Sequence, residues 1–216
     1  MSDATESWRR QTDEQVIAAM LRLGDFLDEG QTIIRAEMLR RGLMLPHPGI
    51  HIYRVDSRQL GMMDIASVLP SEVVSQLGIV TEAIIGRLRR SATDGGTLSP
   101  ENFDANPLFA DVLHQVVARH APTDSDLMEE ARRIDHGKVY VIDGRTPAPD
   151  GRVPAEDIIG SFVAETGRVH AGSYERNPNH IVLSPIGFFR LGPALHQRLV
   201  EELEQRTREW FSAGNR

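Results

Sequence analysis

Apolar positions along this chain repeat with two different periods, and the changes of period divide it. Over residues 12–42, Val16, Met20, Leu23 and Leu27 fall on one helical face, which predicts helix with Thr12 or Asp13 as N-cap. Gly30 is expected to divide this helix and Gly42 to end it. From Ile50 the period falls to two. Ile50, Ile52 and Arg54 alternate with His51, Tyr53 and Val55, and the alternation predicts a first strand. Helical spacing then returns, with "MMDIASVL" (62–69) as a short helix and "SEVVSQLGIVTEAIIGRLRR" (71–90) as a long one behind Pro70. Val73, Leu77, Val80, Ile84 and Leu88 would form its apolar stripe.

The run "SATDGGTLSP" (91–100) is a loop by composition, with Gly95-Gly96 as a candidate hinge. Two further helices are expected, at 106–121 behind Asn106-Pro107 and at 125–137 ending on Gly137. After Gly137 the texture becomes strand-like. "KVYVID" (138–143) reads as a strand, and a Pro/Gly loop follows at 144–154. A hairpin is predicted with Ile158 to Glu165 against Arg168 to Tyr174, Gly167 taking the left-handed position of a bulged turn. "HIVLS" (180–184) is a further short strand. A closing helix follows Pro193, with Leu195, Leu199, Leu203, Arg206 and Trp210 on one stripe.

Helices gathered early and strands late imply an α+β fold. The expected architecture is a helical N-terminal two-thirds packed on a small, mainly antiparallel C-terminal sheet, closed by a long C-terminal helix. Residues 1–12 read as a flexible tail and 13–216 as a single globular domain, with 13–93 and 98–216 as possible lobes about Gly95-Gly96. The position of the strand at 49–55 in the sheet is left open by the pattern.

Composition narrows the function. The 216 residues are 40% hydrophobic and 25% charged, ordinary proportions for a self-sufficient globular chain. A net charge of -7 opposes nucleic-acid binding, whose affinity comes largely from Lys and Arg neutralising phosphates. No apolar run is long enough to span a membrane, and the N-terminal segment carries no secretion pattern, so a cytoplasmic location is expected. The absence of cysteine removes disulfides, thiolate metal sites and cysteine nucleophiles.

Chemistry must therefore rest on His, Asp and Glu. His47 and His51 flank a Pro-Gly turn, while His114 and His120 lie about 120° out of phase on one helix; neither pair has metal-ligand spacing, and no metal is expected. No Gly-rich phosphate loop and no GxSxG elbow occurs, so no nucleotide or other cofactor is implied. The acid–base set that can be nominated is Asp143, at a strand end, with His170 and His180.

The densest stretch is "GSFVAETGRVHAGSYERNPNH" (160–180). Turn chemistry accounts for Asn177-Pro178-Asn179. It does not call for Tyr174, Arg176 and His180 beside that corner, three side-chain types common in recognition surfaces. Tyr174, Arg176, Asn177, Asn179 and His180 are thus the candidate binding residues. The expected function is a non-enzymatic accessory protein that binds a protein partner near the 160–180 hairpin; the alternative is an enzyme using Asp/His chemistry on a small polar substrate. Homo-oligomerisation is left open.

Overall fold

Gly78 decides where the middle of the chain stops being helical. Its backbone sits at φ 87°, ψ -163° and ends helix α4 (Ser71–Leu77), so the stripe expected to run on to Leu88 is cut after its second member. A computed structural model gives the fold for residues 3–22, 25–41, 43, 47, 49–57, 61–91, 95–96, 98–145 and 153–214. Gly42, expected to end the second helix, and Leu23 lie outside these described residues.

Three helices come first: α1 (Asp3–Arg9), α2 (Asp13–Leu21) and α3 (Asp28–Arg41). Thr12 and Gln15 form a reciprocal capping box at the start of α2, which satisfies two backbone donors at once. The break in this region precedes Asp28, and Gly30 lies inside α3. Val16, Ala19, Met20, Ile34 and Met38 form a small core of their own, against which Trp8 and Phe26 pack edge to face. Arg41 ties the stretch expected to be a tail into this core, donating to the carbonyls of Trp8, Arg9 and Gln11.

The expected helical N-terminal two-thirds is corrected by an antiparallel sheet in the middle of the chain. Strands β1 (His51–Ser57), β2 (Gly61–Ser67), β3 (Ile84–Leu88) and β4 (Phe103–Ala105) follow one another in spatial order. The segment read as "MMDIASVL" helix is largely β2, and the second half of the expected long helix is β3. Ile65, Ala66, Ser67, Val68 and Leu69 are all buried, and a short apolar run buried on both faces has no period that separates strand from helix. The strand expected near 49–55 is β1, at the edge of this sheet.

After α5 (Pro107–His120) and α6 (Ser125–Ile134), a second antiparallel sheet forms from β5 (Gly137–Ile142), β6 (Ile158–Glu165), β7 (Arg168–Val169) and β8 (Glu175–Arg176). The hairpin's return strand is shorter than expected. It leaves the ladder after Val169, turns through Ala171–Ser173 and rejoins β6 as β8. Among the described residues "HIVLS" does not extend this sheet; its end, β9 (Leu183–Ser184), pairs with β10 (Gly187–Phe188). Among the described residues no helix is long and apolar enough to cross a membrane.

One core cluster runs from Ile85 and Phe103 of the first sheet, through Phe109, Leu113 and Val117 of α5, to Val139 and Phe162 of the second sheet. It contains residues from both sides of Gly95-Gly96. The closing helix α7 (Pro193–Ser212) adds Leu195, Leu199 and Leu203 to it. Its stripe continues along the i+4 row to the buried Thr207 and the partly buried Phe211, while Trp210 stays half exposed. A row stepping by four keeps its phase against a neighbouring helix better than the shift through Arg206 and Trp210.

Glu165 pairs with Arg168, so the hairpin loop is Thr166-Gly167, with φ 50° and 69°. Both residues are left-handed, as a type I′ turn requires, and a bulge is not needed. Thr166 is β-branched in a conformation that favours Asn or Gly. Thr166→Asn is therefore expected to raise stability by about 0.5–1 kcal/mol, and Gly167→Val to lower it by more than Thr166→Ala changes it. Urea midpoints of the three variants check both statements; an unchanged midpoint for Gly167→Val would contradict the turn.

Candidate functional site

The first residue past β5 is Asp143, fully buried. Strand end, loop and corner meet at its carboxylate. Oδ1 accepts the backbone N–H of Arg145 at 3.0 Å and that of Arg190 at 2.7 Å; Oδ2 lies 2.8 Å from Arg145 Nη2 and 3.2 Å from His180 Nε2. An Asp-Gly turn explains the first of these bonds. The others come from residues up to 47 positions away.

Arg145 is the partner that burial makes costly. Its side chain is 1% exposed, and Nε lies 2.8 Å from Asp157 Oδ1, an ion-pair distance without an aligned N–H. Nη1 donates to the carbonyl of Gly187, and Nη2 to those of Glu156 and Ile181. One guanidinium thus binds the loop after β5, the entry to β6, the segment after the corner and the turn of β10. A planar fork with fixed donors suits such a junction better than an ammonium.

The corner itself is held from inside. The Asn177 carboxamide donates to the carbonyls of Ala155 and Ile158 and accepts the N–H of Asn179. Asn179 is exposed. Arg176 reaches Asp111 of α5 across 2.8 Å, an exposed pair. Tyr174 lies over Phe162 with ring centroids 5.0 Å apart, and its hydroxyl is 2.6 Å from His114 Nδ1. Gly160 makes that packing possible: a Cβ there would sit 2.6 Å from the Tyr174 ring.

Of the acid–base set, Asp143 and His180 come within hydrogen-bond distance, while His170 is exposed elsewhere. Of the binding set, Tyr174, Asn177 and the His180 side chain bond inside the fold, and Arg176 and Asn179 face outward. Asp157 was missed by sequence reasoning. Arg145 is legible as an arginine able to hold a carboxylate or phosphate, but one Arg makes no anion site; the structure pairs it with Asp143 and Asp157. The signal available for Arg145 was an Arg two residues beyond a strand-end Asp; Asp157 carried none.

Histidines gather around Phe189. The rings of His47 and His180 each lie 6.5 Å from it, and His47 is 5.9 Å from His196. Burial, with Arg190 and His196 nearby, lowers the pKa of His47 to about 4. Burial, with Arg176 and His180 nearby, does the same for His114; burial lowers His196 as well and raises Tyr174. His114 and Tyr174 therefore meet as a neutral imidazole and a neutral phenol. Among the described residues no group of three or more His, Cys, Asp or Glu could hold a metal ion.

A groove of about 230 Å³ opens on the outer side of the second sheet, lined by Tyr140, Ile158, Glu175, Arg176, Asn177 and Pro178 among others. Tyr140 and Ile142, on the same face of β5, are each 47% exposed. No family model matches this chain, and no curated protein or solved structure matches it significantly.

Two outcomes follow from the buried charges. Arg145→Met leaves the carboxylates of Asp143 and Asp157 without their counterion and is expected to cost about 3–5 kcal/mol, whereas Arg89→Ala, which removes an exposed pair with Asp104, costs at most about 1 kcal/mol. Chemical denaturation compares the two; equal effects would contradict the junction. His47 and His114 have folded pKa values below the unfolded value, so the unfolded chain takes up protons first as pH falls. The stability they support is complete above pH about 6.5 and is lost progressively down to about 4. The melting temperature should drop by several degrees over that window, and by less in a His114→Gln variant.

Proposed function

We propose that this chain is a non-enzymatic, cytoplasmic accessory protein that binds another protein on the outer side of its second sheet, at the Asn177-Pro178-Asn179 corner. The observation that carries the reading is the groove between Tyr140, Ile158 and the corner, beside the half-exposed Tyr140 and Ile142. Its occupant is a polypeptide segment that offers an apolar side chain to the groove, with Arg176 and Asn179 at the polar rim. Interfaces built this way put an aromatic anchor at the centre and hydrogen-bonding groups around it. Nucleic acid fits poorly with a net charge of -7.

The alternative, acid–base chemistry on a small polar substrate, draws support from the contact between Asp143 and His180. Against it, the Asp143 carboxylate already accepts two backbone N–H groups and faces Arg145. A general base needs a lone pair that substrate can reach.

A photoreactive phenylalanine analogue placed at position 179 tests the proposal in cells, with the same residue at Ile52 on the first sheet as a control. A discrete adduct with one other polypeptide at 179 alone is the expected result. Absence of any adduct, or the same adducts from both positions, would overturn it.

A further inference from the structure

Among the described residues the second sheet ends at β5, and the direction of that strand's backbone groups follows from β6. The carbonyl of Val163 accepts the N–H of His170, and its own N–H donates to Ser173 Oγ. The carbonyl of Ile159 accepts the N–H of Asn177. Odd-numbered residues of β6 thus point their backbone groups toward β7 and β8, away from β5. Lys138 is paired with Val163, and Tyr140 with Ser161. In an antiparallel ladder, residues opposite each other either exchange both backbone bonds or turn both away. Lys138 and Tyr140 therefore turn their N–H and C=O groups outward, and among the described residues no strand meets them.

Proteins usually defend such an edge with charge, bulges or proline. Here the defence is weak. Lys138 is the charged residue at the start of the edge, and its ammonium is drawn over the sheet to Glu175 on β8, two strands away. The residues that follow on the same face are Tyr140 and Ile142, both half exposed. The register shift in the ladder falls between Val141 and Ile142, beyond the Lys138–Tyr140 stretch.

We infer that a second copy of this chain pairs along β5, strand to strand and antiparallel, about a two-fold axis at Tyr140. The edge is self-complementary in that register. Tyr140 meets its own equivalent in a pair whose backbone groups face one another, and Lys138 comes opposite Ile142 of the second copy, so no like charges are opposed. A closed two-fold contact uses one patch on both copies. It also brings the two corner grooves side by side on one continuous sheet face. The pairing concerns the strand edge and stands whether or not the groove takes a partner.

Light scattering after size exclusion, across the micromolar range, should show a dimer in equilibrium with monomer. Tyr140→Lys, which opposes two ammonium groups at the axis, and Tyr140→Pro, which removes the outward donor without touching the ladder to β6, should both yield monomer. Tyr140→Thr should retain the dimer, since the backbone makes the bonds. The chain has no cysteine, so Tyr140→Cys introduces a single thiol; a short bis-maleimide should join two copies through it, and should not do so at the exposed Ser125→Cys. Far-UV circular dichroism and a cooperative melt identify any variant that has failed to fold. A monomer at every concentration, or a dimer unchanged in folded Tyr140→Lys, would overturn the inference.

Discussion

The guanidinium of Arg145 is the constraint on which the second half of this fold depends. It is fully buried between Asp143 and Asp157 and hydrogen-bonded to three carbonyls from separate segments. Desolvating such a cation is expensive, and the two carboxylates offset that cost only while the segments stay where they are. The gain is in specificity of position. The segments after β5, before β6 and after the corner are fixed by one rigid fork. His180, held against Asp143 from the corner side, extends the same junction.

This junction separates what is spent on the fold from what is left at the surface. Asp143, His180, Tyr174 and Asn177 are polar residues in a suggestive cluster, yet each finds its partner inside the protein. Tyr174 covers Gly160 and reaches His114, and Asn177 caps two carbonyls. On the outer side of the second sheet, beside the outward Arg176 and Asn179, lie a groove, two half-exposed apolar side chains and a strand edge. The proposed binding rests on that inventory rather than on proton transfer.

The buried His114 and the half-buried His47 give the fold a dependence on acidity that its apolar core lacks. His47 and His114 sit where a charge is disfavoured by burial and by neighbouring Arg190 and Arg176. Their rings pack around Phe189 and Tyr174 as weakly polar aromatic groups.

Local signals in the sequence did determine several elements. Asn106-Pro107 announced α5, and the Asn106 side chain caps the helix as expected; β-branched and aromatic composition announced β5; Thr166-Gly167 between two strand-like runs announced the hairpin with β6; and the Leu195–Leu199–Leu203 row announced a buried closing helix. Each rests on a property of a few adjacent residues, which a sequence carries in full. The first sheet was not legible in the same way. Residues 62–69 and 84–88 are apolar runs whose spacing suits a helix as well as a strand, and only pairing with β1 and β4 selects the strand. The same holds for the site. "NPN" identified a corner, and Asp143 and His180 were visible as residues capable of chemistry, but their roles were decided by Arg145 and Asp157, brought in by chain segments that no local pattern connects. Tertiary structure alone determines which buried polar groups satisfy one another, because in a low-dielectric interior each must be paired and the partner is chosen by proximity in space.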